Sequence, residues 1–485
     1  MLNARWESIL GNSLNLLWLL GVSTVFQGAK GPRIHQHVLH VVSSYGLDEV
    51  LKRLLSTGIG TGKRENALEL EVFGATPLMF AISDGFARTV QCLLDFGVDI
   101  ETRCGEGATP LGVAARLRNE KVTRLLLDRG AEIEARDNIG WTALSHAAQS
   151  GKTDITLLLL GRGADIETRD ISGCTPLSHA SSRGMKDFVQ LLLDRGAEIE
   201  TLDKRGRTPL SYGALRRHID VVQLLLDRGA EVEKRDDTGQ TPLSLAADSA
   251  AVDVMQLLLD REAEIETRDD TGRTPLSHAA EARGGDIKPY ILGRQNVERL
   301  NDKIPIYRYI APTASIADSV RLLLDRGAEI EARDGAGRTP LCYAVKARTI
   351  DTVQLLLEGG AEIEARDNGG RTPLSHAAES AVFRGSSAMV RFLLTLPTIN
   401  IGSEDDEGLT AIDWAEATIK REFSPEKTPT GPMKAIQAGI FRQKRMESEK
   451  IVAILKAALL ERTRNLLTDG GDGTTLPSNV GHSTC

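Results

Sequence analysis

The chain has 485 residues, of which 41% are apolar and only 4% aromatic, and its formal net charge is −8. That length with so few aromatic side chains is unusual for one large compact core and ordinary for stacked helices built on Leu and Ala. The negative balance gives no pull toward nucleic acid or an anionic membrane.

Residues 1–33 open with Trp6-Glu-Ser-Ile-Leu and a Leu-rich apolar run over 14–26. The run reads as helix but is too short to span a bilayer. Glu7 precedes it and no small-x-small cleavage site is clear, which argues against a signal peptide. The expectation is an N-terminal helical extension or cap over the structure that follows. A second reading is a degenerate F-box remnant, carried only by the Leu-rich helix and its Val22-Ser-Thr-Val-Phe26 ending. It would make the chain a substrate-recognition adaptor of a ubiquitin ligase.

Residues 34–58 read as a first helix pair. The Gly-Ile-Gly-Thr-Gly-Lys of 58–63 falls short of a phosphate-binding loop. Thr57 stands in place of its first Gly and Arg64 in place of its Ser or Thr. From there a cycle takes over. A Thr-Pro/Ala-Leu step falls at Thr76, Thr109, Thr142, Thr175, Thr208, Thr241 and Thr274, always 33 residues apart, then at Thr339 and Thr372 and in weaker form at Thr410.

Within a cycle Thr caps a helix and Pro fits its first position. Leu and small Ala residues follow, as at Leu144, Ala147 and Ala148. Val221 and Leu224-Leu-Leu226 give a second helix its apolar face. Gly229 suits a left-handed C-cap, and an Ala-Glu-Val-Glu-Lys-Arg-Asp-Asp-Thr-Gly stretch makes a protruding turn. One such unit buries too little of its apolar face alone, so units must stack.

Between Thr274 and Thr339 the spacing is 65, which leaves an insert near 283–314 that holds Tyr290, Tyr307 and Tyr309. A smaller insertion lies around 384–387. Residues 421–447, rich in Pro and basic groups, read as an inserted loop, with Ser424-Pro and Thr428-Pro as weak phosphorylation steps. Residues 448–467 read as a C-terminal capping helix and 468–485 as a disordered tail.

The Asp-x-x-Gly-x-Thr-Pro-Leu, Ala-Ala, Leu-Leu-Leu and Gly-Ala steps resemble the ankyrin repeat over about residues 34–460, with the array proper at 34–420. The resemblance implies an all-α solenoid of ten or eleven helix-turn-helix units with protruding β-hairpin loops, elongated and curved. It also implies binding of other proteins through hairpin tips and the concave helical face. The family's His after Thr-Pro-Leu is replaced by Ser145, Ser178, Ser211, Ser244, Ser277, Ser375 or Cys342, with His one step later at His146, His179, His278 and His376. A Ser hydroxyl is expected to take over part of the usual Thr–His bond. The Gly between the helices is kept at Gly85, Gly151 and Gly184 and lost at Arg118, Arg217, Ala250, Arg283, Arg348 and Ala381. Glu262 replaces a C-cap Gly.

No catalytic residues, metal site or cofactor are expected. Equivalent histidines of stacked units lie about 10 Å apart, too far to share an ion that holds its ligands at about 2.1 Å. Ser145 and His146 diverge by about 100° on a helix. In His35-x-His37-x-x-His40 only the last two share a face. Paired acids (Glu132/Glu134, Glu198/Glu200, Glu231/Glu233, Glu264/Glu266, Glu329/Glu331, Glu362/Glu364) recur with Arg136, Arg169, Arg235, Arg268, Arg333 and Arg366, and read as surface dressing. Cys92, Cys104, Cys174, Cys342 and Cys485 show no paired spacing, which suits the reducing cytoplasm or nucleus.

Binding is the function that remains, by a monomer with protein partners and neither nucleic acid nor membrane. The residues free to vary at the tips are the candidates: Asn138, Ile139 and Trp141; Lys204, Arg205 and Arg207; Asp237, Thr238 and Gln240; Asp270, Thr271 and Arg273. Ile171, Ser172 and Cys174 sit at the equivalent positions between them. Trp141, the one large aromatic, is the candidate anchor, with packing on the neighbouring tip as the alternative.

Overall fold

The computed structural model describes residues 42–57, 76–151, 153–282, 313–380, 386–423 and 434–469. The segments 1–33, 58–63, 283–312 and 470–485, together with His35, His37 and His40, lie outside them. The described residues hold twenty-one helices and no strand, and none of these helices is long and apolar enough to cross a membrane. They fall into two compact units, divided after Lys204.

The first unit opens with Asp48–Thr57 and continues as four helix pairs: Pro77–Ser83 with Ala87–Asp95, Pro110–Arg116 with Glu120–Asp128, Ala143–Ser150 with Thr153–Gly161, and Pro176–Arg183 with Lys186–Asp194. In every pair the threonine before the first helix is extended and its hydroxyl accepts the N–H three residues on, as Thr142 does from Ser145. Leu78, Leu111, Leu144 and Leu177 point inward from the first helices and Leu93, Leu126, Leu159 and Leu192 from the second, all essentially without exposure. Each contributes roughly 2 kcal/mol of burial. Ala114, Ala147 and Ala180 are fully buried where first helices stack.

The second unit repeats the plan six times. Its pairs are Pro209–Leu215 with Ile219–Asp227, Pro242–Asp248 with Val252–Asp260, Pro275–Glu281 with Thr313–Asp325, Pro340–Ala347 with Ile350–Glu358, Pro373–Glu379 with Ser386–Leu394, and Ala411–Glu422 with Lys434–Asp469. The Ser after Thr-Pro/Ala-Leu does take the cap threonine as partner. Thr142 Oγ1 lies 3.4 Å from Ser145 Oγ and 3.3 Å from Thr168 Oγ1, and the same triad recurs at Thr175 and Thr241. Where Cys342 replaces Ser, Thr339 Oγ1 donates to Sγ at 3.6 Å, and its hydroxyl caps no N–H.

The final helix differs from expectation. Residues 434–447, read as loop, are helical, and the helix runs from Lys434 to Asp469 rather than over 448–467. Phe441 packs edge-on against Phe423 at 5.0 Å. Ser387 donates its N–H and hydroxyl to Glu447 at 3.3 and 2.5 Å. Ile451 and Leu455 are buried, and Arg462 reaches the carbonyls of Ile399 and Leu396. These contacts extend the helix in both directions from the core that the apolar pattern marks.

Among the described residues, losing a glycine did not change the backbone, and Arg283 and Ala381 lie outside them. Arg118, Arg217, Ala250 and Arg348 keep the left-handed turn between helices at φ 54 to 66°, beside Gly85 at 79° and Gly151 at 70°, and Glu262 keeps the C-cap turn at 65°. A side chain there costs about 1–2 kcal/mol, offset in part by the entropy that Gly adds to the unfolded chain. Exposed Arg118 and Glu262 are therefore expected to gain about 0.5–1 kcal/mol each as Arg118→Gly and Glu262→Gly. Urea unfolding midpoints check this.

Candidate functional site

From Asp137 onward the tips are built on an aspartate, whereas the tip before it carries Cys104 at that position. Asp137 Oδ1 accepts the N–H of Ile139 at 3.0 Å and of Trp141 at 2.8 Å, and Oδ2 meets His146 Nε2 at 3.1 Å. The arrangement recurs at Asp170 with His179, Asp269 with His278 and Asp367 with His376. Where the histidine is missing, another donor fills its place nine residues on. Tyr343 Oη donates to Asp334 at 2.5 Å and Trp414 Nε1 to Asp405 at 2.8 Å. Leu245 supplies none, and there Arg207 Nε, from the tip before, donates to Asp236 Oδ2 at 3.2 Å.

The displaced histidines thus brace the tips. Their Nε2 atoms go to aspartate and the neighbouring Ser hydroxyls go to threonine, so the two never form a nucleophile–base pair. Among the described residues no group of three or more metal-binding side chains converges.

This bracing sorts the candidate residues by position. The third residue of each tip turns inward. Trp141 is half-buried, donates Nε1–H to Asp170 at 3.0 Å and stands edge-on between His146 and His179, 5.3 and 4.7 Å away. Arg207 is 5% exposed. Gln240 donates to the His278 ring at 3.3 Å. Arg273 pairs with Glu281 at 2.7 Å and lies 4.3 Å over the Tyr343 ring. These four are parts of the scaffold, which removes Trp141 as a free anchor and Arg207 as a surface cation. The first two residues are the more exposed ones, although the Thr238 and Thr271 hydroxyls donate to Asp236 and Asp269 at 2.6 and 2.7 Å. Asn138, Ile171, Lys204, Arg205, Asp237, Thr238, Asp270 and Thr271 are exposed, and Ile139 is half-buried.

One backbone bond joins each tip to the next within a unit. Ile171 N–H donates to the Ile139 carbonyl at 3.0 Å and Lys204 N–H to Ser172 at 2.9 Å in the first unit, and Asp270 N–H to Thr238 at 3.1 Å in the second. In the first unit the outward stretch carries Ile139, Ile171, Leu202 and Lys204, an apolar run ending in a cation. In the second, Asp237 and Asp270 follow Arg205.

The recurring acids and arginines prove to be stitching rather than surface dressing. Glu134 Oε1 accepts the N–H of Asp165 at 2.8 Å and Glu167 that of Glu198 at 2.8 Å; Glu233, Glu266, Glu331 and Glu364 do the same for the repeat after theirs. Arg136 Nη1 donates to the Arg169 carbonyl at 2.6 Å, Arg169 to Leu202 at 2.6 Å, and Arg333 to Arg366 at 2.5 Å. On the second helices Arg129 pairs with Asp95, Arg162 with Asp128, Arg261 with Asp227 and Arg326 with Asp260, all within 2.9 Å. The sequence period shows these residues repeating but not that their partners lie one repeat away.

Asp170, Asp269, Asp334, Asp367 and Asp405 stay ionised because their donors outweigh burial. Burial pushes Asp367 up, but the bonds from His376 and the Arg371 N–H hold it at about 2, below its ordinary 3.8. Asp170, Asp269 and Asp334 are lowered in the same way. Burial lowers His376 from 6.5 against the opposing pull of Asp367, so neutral imidazole is the donor at neutral pH. Glu167, Glu233, Glu266, Glu331 and Glu364 are raised by burial despite the backbone N–H each accepts. Their ionisation costs stability as pH rises above 4.5, opposite in sign to the aspartates.

Well below 4.5 the raised glutamates are protonated folded or unfolded, and the lowered carboxylates, the aspartates together with Glu379, set the slope. An unfolded Asp367 takes up its proton near 3.8 and the folded one only near 2, so its stabilisation is present above 3.8 and lost on acidification to about 2. Urea midpoints are expected to fall steeply over that window, and the Asp367→Asn variant to fall less.

A family model described as ankyrin repeats (three copies) matches residues 39–137, 144–236, 229–301 and 310–405. No curated protein matches the chain.

Proposed function

This chain belongs to the ankyrin-repeat family, whose repeats are protein–protein interaction modules, and on that premise we propose that it is a non-enzymatic scaffold or adaptor. It holds partner proteins with the outward pair of residues at each tip, assisted by the neighbouring first-helix face. The observation that carries this reading is the split within each tip. The aspartate and third residue are committed to holding the fold, while Ile139, Ile171 and Lys204 in the first unit and, separately, Arg205 in the second are left at least partly exposed on a braced frame. A preorganised edge of this kind binds with little ordering cost, and apolar side chains beside cations suit a partner with aliphatic and acidic groups.

The test is affinity purification with the full chain and with a variant carrying Ile139→Asp, Ile171→Asp, Lys204→Glu and Arg205→Glu. The variant is expected to keep the parent's circular dichroism and melting temperature and to lose the proteins that the parent captures. An unchanged captured set with an intact fold would assign binding to another surface.

A further inference from the structure

The last helix, Lys434–Asp469, is 36 residues long against 9 for Ser386–Leu394 and 12 for Ala411–Glu422, the two helices it packs on. At 1.5 Å per residue it spans roughly 54 Å, far more than its supports. Its inner side is accounted for by Ser448, Ile451 and Leu455.

The opposite side is not. Met446 is 69% and Leu460 71% exposed, the highest values among the large apolar side chains described. The intervals 446, 450, 453, 457 and 460 alternate between four and three, the spacing that keeps a seam on one face toward a partner helix. Lys450, Ala453 and Ala457 complete that stripe, all exposed, and the alanines permit close approach.

Charge identifies the kind of partner. Residues 441–464 carry seven basic and three acidic side chains, an excess of four positive charges in a chain of net −8. Around the stripe, Arg442, Arg445, Lys450, Lys456 and Arg464 are exposed with only Glu449 and Glu461 of opposite sign. Glu449 is engaged by Arg445 at 2.8 Å, while Lys456 reaches back to Glu416 at 2.7 Å. Arg442 and Lys450 make no ion pair among the described residues. A second copy of the same helix would set like charge against like.

We infer that this face is a second docking surface, for an acidic amphipathic helix of a partner protein that pairs with the 446–460 stripe. It is separate from the tips and does not depend on what they bind. Met446, Ala453, Ala457 and Leu460 supply the apolar contact, and acidic groups on the partner answer Arg442, Arg445 and the Lys450 that interrupts the stripe.

Fluorescence anisotropy tests this with two labelled synthetic helices of three heptads. Both carry Leu at the seam positions; one has Glu at every flanking position and the other Lys. The full chain is expected to bind the Glu peptide at least 10-fold tighter than the Lys peptide, and more weakly as salt rises. Leu460→Glu, and Arg445→Glu with Lys450→Glu, are expected to weaken that binding at least 10-fold without changing the melting temperature. The tip variant Lys204→Glu is expected to bind as the parent does. Three outcomes would overturn the assignment. One is equal binding of both peptides or by all variants. Another is a concentration-dependent dimer in sedimentation that Leu460→Glu abolishes. The third is anionic phosphatidylserine vesicles binding this face while the Glu peptide does not.

Discussion

Asp170→Ala is expected to lower the stability of the first unit by about 3–4 kcal/mol. The carboxylate accepts from Ser172 N at 2.8 Å, Cys174 N at 2.9 Å, His179 Nε2 at 3.1 Å and Trp141 Nε1 at 3.0 Å. Alanine leaves two backbone and two side-chain donors without an acceptor, in a site where the carboxylate is 6% exposed. Each such loss costs about 1–3 kcal/mol when water does not replace the partner, and partial hydration at the tip brings the sum down. Asp170→Asn keeps one carbonyl for the backbone N–H groups but turns an amide toward the ring donors, so about half the loss is expected. Urea unfolding followed by Trp fluorescence and by circular dichroism measures both. Because repeat arrays unfold in parts, the loss is expected as an earlier transition of the first unit rather than a uniform shift.

The second large effect separates two arginines two positions apart. Arg207→Glu is expected to cost about 3–5 kcal/mol, and Arg205→Glu less than about 0.5 kcal/mol. Arg207 is 5% exposed and donates to Asp236, whose side chain is 1% exposed. A glutamate there sets two desolvated carboxylates against each other and leaves Asp236 without the donor that Leu245 does not provide. Arg205 is exposed, so water screens and replaces what its guanidinium meets. Denaturation midpoints of the two variants against the parent decide it, and equal effects would mean that tip position does not determine role.

These two predictions show which parts of the molecule were legible in the sequence. The helix pairs, threonine caps and left-handed turns follow from local chemistry repeated every 33 residues. That is why Thr142, Pro209 and Gly151 were readable, and why even Arg118 and Glu262, which disfavour the turn, could be placed in it. The candidate tips were readable only as variable positions. Nothing local distinguishes Arg205 from Arg207 or marks Trp141 as a brace, because their partners, Asp236 and Asp170, sit 29 residues away. The usable signal was the aspartate itself, followed nine residues later by a donor at His146, His179, His278, Tyr343, His376 and Trp414, though not at Leu245. The stitching glutamates were misread for the same reason, since the N–H groups they accept lie 31 residues on. At the C-terminus, prolines at 425, 429 and 432 drew the loop reading too far, whereas the helix-forming composition resumes from Lys434.

The same division of labour explains why recurring Ser, His and Glu residues amount to scaffold. Their polar atoms are engaged by the adjacent turn or repeat, while the outward pair is left to differ from tip to tip. On the function proposed above, recognition rests on residues whose replacement costs the fold little.

Site-specific photo-crosslinking tests that claim most directly. A photoreactive phenylalanine analogue placed singly at Asn138, Ile171 or Lys204 is compared with one at Lys121 or Arg124, exposed on the second helix Glu120–Asp128. Irradiation in cell extract is expected to give discrete higher-mass adducts from the three tip positions and none from the helix positions. Adducts from Lys121 or Arg124, with none from the tips, would contradict the account.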